Sequence, residues 1–499
     1  MKRVRPSFSF LLLLLIVFVS CQKDLTETGI EVSAVKAELD QYVLETIKSS
    51  NEAFDWNEQS DEIFYKALTL TDNILVLGYT DGITKNISAR DAILKKVYQL
   101  ENKQAENFGA LDDVLIYKDD VLGFISVKIS KFETLQQLRA LPSVTFAEVN
   151  GYPIDMEVIH AFVGYPTVAH KSTSTNNNRR DMILDPYQTN PDYSQQVADY
   201  DNTFGIVIQR HNIDDVYRQY NIFGEGIGMG VIDNGMVPWA RDLFMENGYG
   251  SRDAVGYHKP LWFFPWSDDD GIEPLETDAL GISPLIEGQW LHGSGMIQSA
   301  LVISPNADIV SVRASTAIII LFPSQIYGIS SAIRAMGDQE NIRVINMSMG
   351  TIFFFHRVKN SINYYYDKGK IIGCAAGTTD PAVKDILGVI FPASRWNTVA
   401  VTGINDRETT NGEFIAGTTA HTGKEVDFCV EKSAASSEAT ARMMGMFALL
   451  WSANPDMTRE EVMDIMIQSS HFYQLQGQKD LDFGWGTVDM LQAVDAAMD

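Results

Sequence analysis

The feature that most constrains this 499-residue chain is an apolar run near its C-terminus. From Ala439 to Trp451 only Thr440 and Arg442 interrupt the run, so a helix here would be apolar on nearly every face. Such a helix belongs in the interior of a large domain. Ser436 and Ser437 precede the run as N-cap candidates, and an Asn-Pro pair ends it. A serine at a helix N-terminus lies where backbone N–H groups favour negative charge, which suits either a simple cap or an oxyanion.

Two other segments give this serine a chemical context. Asp233 ends the buried-strand pattern Gly228–Ile232 and is followed by turn residues, and His292 opens the Gly-rich start of another apolar helix. Asp, His and Ser in this order can orient an imidazole, accept a proton and attack a carbonyl carbon. Taken singly, the three residues also have structural explanations, as a turn carboxylate, a helix-capping histidine and an N-cap serine.

The three segments together resemble motifs of the subtilisin-like serine proteases. Asp-Asn-Gly at 233–235 is similar to the Asp-Ser/Thr-Gly motif of that family, and His-Gly-Ser at 292–294 to its His-Gly-Thr motif. Ser-Ser-Glu-Ala at 436–439 is similar to Thr-Ser-Met-Ala. The resemblance implies an exported serine endopeptidase that acts on protein or peptide substrates. The alternative is a catalytically impaired relative, a surface lipoprotein that keeps the fold and binds peptides or proteins.

The resemblance assigns a role to each member of the triad. Ser437 would be the nucleophile, His292 the general base and then the general acid, and Asp233 the residue that holds the imidazole tautomer. The backbone N–H of Ser437 would donate to the oxyanion.

Two further strings extend the resemblance to a substrate pocket. Val344–Gly350 reads VINMSMG, close to the VINMSLG of the family, and Ile371–Gly377 resembles the strand that forms the opposite wall. From Gly205 to Asp499 strand and helix patterns alternate, which favours an α/β domain with a mostly parallel central sheet between two helix layers. The family implies that the pocket walls are formed by two sets of residues, Ser348, Met349 and Gly350 on one side and Ala375, Ala376 and Gly377 on the other.

The sequence departs from the family pattern at three places. Thr378 stands where the family has the asparagine that donates to the oxyanion, and its hydroxyl is closer to the backbone, so we expect a slow protease. The hairpin that precedes the serine helix is lost between Asp427 and Ser437. An aromatic-rich insertion, which includes Leu261–Trp266, lengthens the interval between the aspartate and the histidine.

An upstream unit at 61–155 shows the pattern β-α-β-β-α-β, which predicts a small α+β ferredoxin-like domain. Leu135–Glu148 resembles the end of the inhibitor-type propeptide of the family, so the chain's own propeptide becomes an expected partner. A permanent accessory domain is the alternative. The predicted strands are Asn73–Gly78, Val114–Tyr117, Gly123–Ile129 and Val144–Val149, and the predicted helices are Ala89–Gln104 and Phe132–Leu141.

The first twenty residues have the character of an export signal. Lys2, Arg3 and Arg5 precede the apolar segment Phe8–Val19, which is too short to span a membrane as a mature helix. Cys21 then ends a Phe-Val-Ser-Cys string that resembles a bacterial lipobox, followed by residues similar to the surface-export signals of Bacteroidetes lipoproteins. This resemblance implies lipidation of Cys21 and a membrane anchor in the cell envelope, in the outer membrane and exposed at the surface. An ordinary secretory signal is the alternative.

These patterns divide the chain into five segments. They are a signal peptide at 1–20, a tether at 21–60, the propeptide-like domain at 61–155, a linker at 156–204 and the catalytic domain at 205–499.

Composition excludes some functions. The net charge of −26 opposes binding to nucleic acid, because phosphate groups require a basic surface. Cys374 and Cys429 lie in apolar strand patterns and are expected to be buried thiols, with a disulfide as the alternative. No HExxH motif or Cys/His set of zinc spacing is present, and no organic cofactor is implied. Structural calcium is frequent in the subtilisin-like family, although no ligands for it can be assigned from this sequence.

Overall fold

The computed structural model describes residues 28–79, 86–101, 114–155, 158, 202–235, 254–258, 273–274, 292–315, 319–379, 384, 387–407 and 414–499. The predicted signal peptide, Cys21, nearly all of the predicted linker and the aromatic insertion lie outside the described residues.

A large, mostly parallel sheet organises the second half of the chain. In the described residues it has nine strands in the order β14-β13-β12-β10-β6-β9-β7-β8, with β15 paired to β13. Only β14 and β8, which lie at the two ends of this order, run antiparallel to their neighbours. The strands are β6 (Gly228–Asp233), β7 (Ala254–His258), β8 (Glu273–Pro274), β9 (Asp308–Arg313), β10 (Ile342–Met347), β12 (Ile371–Ala375), β13 (Val399–Arg407), β14 (Phe414–Ala416) and β15 (Phe428–Val430).

Helices cover both faces of this sheet. Val231 and Val344 belong to one hydrophobic cluster, and the next residues, Ile232 and Ile345, belong to another, because side chains alternate between the faces of a strand. The first cluster contains α7 and α10, and the second contains α8 and α9. This arrangement confirms the predicted three-layer α/β fold. The helices are α5 (Asn202–Arg210), α6 (Ile213–Tyr220), α7 (His292–Leu301), α8 (Pro323–Gly337), α9 (His356–Asp367), α10 (Ser436–Ala453), α11 (Arg459–Gln468), α12 (His471–Gln476) and α13 (Met490–Met498).

The central helix α10 is the predicted apolar run, and it is buried from Ser436 to Trp451 apart from Glu438. Its buried Arg442 donates to the Lys432 carbonyl and the Ser433 hydroxyl and pairs with Glu438, so the one charge within the apolar run has partners. The helix begins at Ser436 with Ala435 as the N-cap residue, rather than with a serine cap.

The N-terminal unit has the predicted β-α-β-β-α-β order. Its four strands form an antiparallel sheet in the order β3-β4-β2-β5. The elements are β2 (Ile74–Gly78), α3 (Ile87–Leu100), β3 (Leu115–Asp119), β4 (Phe124–Lys128), α4 (Phe132–Arg139) and β5 (Phe146–Val149).

The segment expected to be a tether is packed against the protein from residue 39 onward. It forms helix α1 (Thr28–Ser50), strand β1 (Phe54–Asp55) and the 3-10 helix Trp56–Glu58, and helix α2 (Asp61–Leu70) follows it. Strand β1 pairs in parallel with β11 (Phe353–Phe354) of the large domain. The buried apolar residues of this segment are Leu39, Val43, Leu44, Ile47, Phe54 and Trp56.

A buried ion pair joins the N-terminal unit to helix α9. Arg357 Nε donates to Glu148 Oε1 at 2.5 Å, and neither side chain is exposed. Asn150 accepts two further hydrogen bonds from the same guanidinium, which also lies 4.6 Å from the centre of the Tyr327 ring. Because the hydrophobic core is continuous across this boundary, the two units pack as one body.

The described part of the chain contains neither a candidate membrane-spanning helix nor a candidate metal site. None of its helices is long and apolar enough to cross a membrane. In the same residues, no group of three or more His, Cys, Asp or Glu side chains could hold a metal ion.

Candidate active site

Asp233 lies at the carboxyl end of the central strand β6 and is fully buried. The backbone N–H of Asn234 donates to its Oδ1 at 2.7 Å. Both neighbouring strands, β9 and β10, run parallel to β6, so their carboxyl ends meet at this edge of the sheet. In open α/β sheets this is the edge at which ligands bind.

His292 begins α7 directly beside this carboxylate. Its Nδ1 lies 3.0 Å from Asp233 Oδ1 and 2.9 Å from Oδ2. Asn234 Oδ1 accepts from the Gly293 backbone N–H at 2.9 Å and thereby fixes the start of the helix. A methyl group on Gly293 would lie 2.3 Å from the Gly235 carbonyl oxygen, so the close approach of helix and strand requires a glycine at this position.

The charge and burial around His292 suit a general base. Burial by itself lowers the pKa of His292, but the negative charge of Asp233 and its hydrogen bond outweigh burial and raise that pKa above 6.5. Since a carboxylate can only accept, Nδ1 carries a proton and Nε2 of the neutral ring is an acceptor. The side chain is 25% exposed, and none of the described residues makes a hydrogen bond to Nε2.

Ser437 lies in the first turn of α10, which packs against α7. In this structure its Oγ donates to the Ser348 carbonyl oxygen at 3.4 Å, a long and weak hydrogen bond, and makes none to His292. Ser348 Oγ in turn donates to the Ser437 carbonyl at 2.8 Å. The structure therefore pairs Asp233 with His292 and holds Ser437 against the end of β10.

The predicted pocket walls follow two neighbouring parallel strands. Ser348, Met349 and Gly350 follow the end of β10. On the opposite wall, Ala375 is the last residue of β12, and Ala376 and Gly377 follow it. Ile390 N donates to the Ala376 carbonyl at 2.9 Å, and a methyl group on Gly350 would lie 2.5 Å from Ile390 Cδ1. Ile390 thus contacts both predicted walls, the Ala376 backbone on one side and Gly350 on the other.

Known proteins with similar sequences include one protein family. Residues 293–486 match the model of the Subtilase family. This region is therefore similar to a subtilase domain. The matched region contains Ser437 and begins just after His292, so Asp233 and His292 lie upstream of it.

Two curated proteins with sequences similar to this chain are proteases. The chain is 25% identical over 285 residues to the minor extracellular protease Epr of Bacillus subtilis (strain 168), an alignment that covers 55% of this chain and 39% of Epr. It is 29% identical over 137 residues to a subtilisin of Bacillus sp. (strain TA39), covering 26% of this chain and 31% of that subtilisin. The chain therefore spans about a third of the length of these relatives.

Two solved structures share the fold of the chain. Fervidolysin from Fervidobacterium pennivorans, a keratinolytic enzyme related to subtilisin, aligns with a TM-score of 0.53 at 14% identity, over 85% of this chain and 61% of its own. The epidermin leader peptide processing serine protease EpiP from Staphylococcus aureus aligns with a TM-score of 0.52 at 14% identity, over 85% and 98%. At this identity the likeness establishes the subtilisin-like fold.

The Thr378 hydroxyl is directed toward Ser436. Ser436 Oγ donates its one proton to the Gly377 carbonyl at 2.7 Å, so at the 2.8 Å contact between the two hydroxyls Thr378 must be the donor. Thr378 Oγ1 also accepts from the Ser436 backbone N–H at 3.1 Å. In this arrangement Thr378 has no proton left for an oxyanion, which differs from the role that the family pattern implies.

Cys374 and Cys429 are buried thiols, as predicted. Cys374 lies in β12 and Cys429 in β15, on either side of β13. Burial raises the pKa of the Cys374 thiol, which disfavours the reactive thiolate.

Sequence reasoning missed two residues of the site. Ser436 bonds to both backbone groups of Gly377 and to Thr378, although its sequence position suggested only a cap. Asn234 caps the histidine helix from 59 residues upstream. The only sequence signal was their position next to the triad candidates.

Proposed function

We propose that this protein is a serine endopeptidase that hydrolyses peptide bonds through an acyl-enzyme. The observation that carries the proposal is the Asp233–His292 pair at 2.9–3.0 Å, with the second imidazole nitrogen unoccupied by the described residues. Ser437 lies at the N-terminus of the adjacent helix, which matches a nucleophile position of the family.

In the proposed reaction His292 Nε2 removes the Ser437 hydroxyl proton as Oγ attacks the substrate carbonyl carbon. The resulting imidazolium is stabilised by Asp233 and then protonates the leaving amine, which releases the first product. Water repeats the sequence on the acyl-enzyme and restores both residues. The serine must first leave the Ser348 carbonyl, an inexpensive step for a bond of 3.4 Å.

The Ser437 backbone N–H is our proposed first donor to the oxyanion. As the second residue of α10 it lies among the helix N–H groups that lack an intrahelical acceptor. Thr378 would have to break its contact with Ser436 to become a second donor. One missing donor costs about 10²–10³ in kcat, so the proposal remains a slow protease.

The direct test compares Ser437→Ala with wild type in peptide hydrolysis. The substitution removes one oxygen whose only hydrogen bond to the described residues is long, so the fold should persist while turnover falls to background. Full activity of the variant would remove Ser437 from the mechanism.

A second candidate function is peptide capture without turnover at the cell surface. Two observations favour it, namely that the Ser437 hydroxyl is directed to Ser348 and that the Thr378 hydroxyl is directed to Ser436. A protein of this kind would bind peptides with wild-type affinity after Ser437→Ala and would never cleave them.

We further propose that the N-terminal unit is the propeptide of a zymogen. Its docking on α9 through Glu148 and Arg357 supports an intramolecular partner. After β5, however, Tyr152 donates to Asp40 Oδ1 at 2.7 Å and the Asp155 N–H to Asp40 Oδ2 at 3.1 Å, so α1 holds this part of the chain. This contact favours the alternative of a retained accessory domain.

Maturation of the Ser437→Ala protein separates these two possibilities. Under the zymogen proposal the variant accumulates uncut while wild type shortens, as read from the mass of each purified protein. Two uncut proteins would leave the N-terminal unit as a retained domain, and equal shortening of both would mean that another protease makes the cut.

Lipidation of Cys21 and a location in the bacterial cell envelope remain part of the proposal, supported by the sequence of the signal. Cys21→Ala should move the protein from the membrane fraction to the soluble fraction, because a multiply acylated cysteine anchors stably. Unchanged fractionation would contradict the lipid anchor.

A further inference from the structure

His421 is a fully buried histidine beside the pocket wall that ends at Gly377. Its backbone N–H donates to the Gly377 carbonyl at 3.0 Å, and the Thr379 N–H donates to the Thr419 carbonyl at 3.1 Å, so the two segments pair as short antiparallel strands. A methyl group on Gly377 would lie 2.3 Å from His421 Nδ1. The positive φ of 138° at Gly377 and this contact with the ring both require a glycine there.

The partners of His421 define which ring nitrogen carries the proton. Nδ1 lies 2.5 Å from the Gly388 carbonyl oxygen, which can only accept, so Nδ1 is protonated. In the neutral ring Nε2 is then an acceptor, and it receives the Thr379 hydroxyl proton at 2.7 Å. The imidazole therefore links the Gly377–Thr379 segment to the separate segment that contains Gly388.

The Gly377–Thr379 segment also forms hydrogen bonds to Ser436, the residue before the proposed nucleophile. The N–H of Gly377 donates to Ser436 Oγ at 3.1 Å, and its carbonyl accepts from the same oxygen at 2.7 Å. Ser436 directly precedes Ser437 in the first turn of α10. A displacement of the Gly377–Thr379 segment would therefore move Ser436 through its two hydrogen bonds to Gly377, and Ser437 with it.

We propose that His421, acting through Thr379, is a positioning residue that fixes Ser437 and the adjoining pocket wall for attack. The inference rests on the proposed peptidase function. In this proposal His421 contacts neither the substrate nor the reacting atoms. It keeps the Gly377–Thr379 segment in place. Displacement of a reacting group by about 1 Å can cost on the order of 10²-fold in rate.

The test measures inactivation by a fluorophosphonate, which reacts with an activated serine, and separates the maximal rate kinact from the affinity KI. Thr379→Val keeps the shape of the side chain and removes the hydroxyl, so kinact should fall roughly 10–100-fold with KI nearly unchanged. Thr379→Ser restores the hydroxyl and should react within about twofold of wild type.

Thr402→Val is the matched control for a general loss of stability. The Thr402 hydroxyl donates to the backbone carbonyl of His421 and not to a ring nitrogen, so this variant should melt earlier and keep the wild-type kinact. An equal loss of kinact in Thr402→Val and Thr379→Val would overturn the positioning role.

The remaining outcomes separate this inference from the proposed function. Labelling of wild type together with equally fast labelling of Thr379→Val would overturn the role of His421 and leave the peptidase intact. A wild-type protein that is not labelled at all would overturn both.

Discussion

The protein contains two histidine–aspartate pairs with almost the same geometry in two different regions. At the carboxyl edge of the sheet His292 Nδ1 lies 2.9 Å from Asp233 Oδ2, and at the boundary with the N-terminal unit His356 Nε2 lies 3.1 Å from Asp55 Oδ2. The His356 ring stacks on Phe146 with ring centres 4.7 Å apart, and its Nδ1 is buried and has no hydrogen-bond partner among the described residues.

The difference lies in the second nitrogen of each ring. His292 keeps Nε2 available beside a helix that presents a serine, whereas His356 has both nitrogens enclosed by the contact between two units. A carboxylate can orient an imidazole for catalysis or for packing, so the pair alone does not identify an active site. We propose that an accessible acceptor nitrogen beside a helix that begins with a serine does, and the following experiments test that distinction.

The largest expected difference is between His292→Ala and His356→Ala. Loss of the base should lower kcat on the order of 10⁶-fold. His356→Ala should leave kcat within a few-fold and lower the free energy of unfolding by about 1–3 kcal/mol, because it removes buried contacts. Peptide hydrolysis and urea denaturation measure the two effects. Comparable losses of activity in both variants would contradict the assignment.

The next difference is between two fully buried carboxylates. Asp233→Asn should lower kcat about 10⁴-fold, because the amide favours the wrong imidazole tautomer. Glu148→Gln should leave kcat nearly unchanged and destabilise the protein by about 3–5 kcal/mol, since Arg357 stays buried without its charged partner. Thermal denaturation and kinetics on the same preparations provide the comparison. The distinction fails if Glu148→Gln is as stable as wild type.

The pH dependence should also distinguish the two histidines. Because the base must be neutral and Asp233 raises the pKa of His292, activity should be lost as pH falls through a midpoint above 6.5. The acid limb of kcat/KM against pH reports this value for the free enzyme. His356→Ala should leave the midpoint in place. A midpoint at or below 6.5 would mean that Asp233 does not control the active base.

The smallest expected effect concerns Thr378. Thr378→Val removes the contact with Ser436 and should cost about 0.5–1.5 kcal/mol of stability, with kcat within a few-fold of wild type. Thr378→Ser, which keeps the hydroxyl, is the control. A fall of 10²-fold in kcat for the valine variant alone would return Thr378 to the oxyanion site.

Local patterns of the sequence were sufficient to predict much of the fold. The strand predicted at Asn73–Gly78 is observed at Ile74–Gly78, and the helix predicted at Phe132–Leu141 at Phe132–Arg139. Periodicity is a local property, so it predicts elements well. The proximity of Asp233 and His292 followed from ordered motifs rather than from periodicity.

Contacts between distant segments could not be predicted in this way. The tether prediction missed that Phe54 pairs with Phe353, because no local signal indicates a partner three hundred residues away. The link of Thr378 to Ser436 was also missed, since hydroxyl side chains reveal their partners only when the chain is folded. Sequence motifs therefore provided the candidate groups, and the structure supplied the contacts around them.

The most direct measurement of the central claim is covalent labelling of the purified protein with a fluorophosphonate, followed by mass spectrometry of its peptides. The account predicts one label per molecule, located on Ser437, that is lost in His292→Ala and kept in His356→Ala. A folded wild-type protein that stays unlabelled, or a label on any other residue, would contradict an activated Asp233–His292–Ser437 triad.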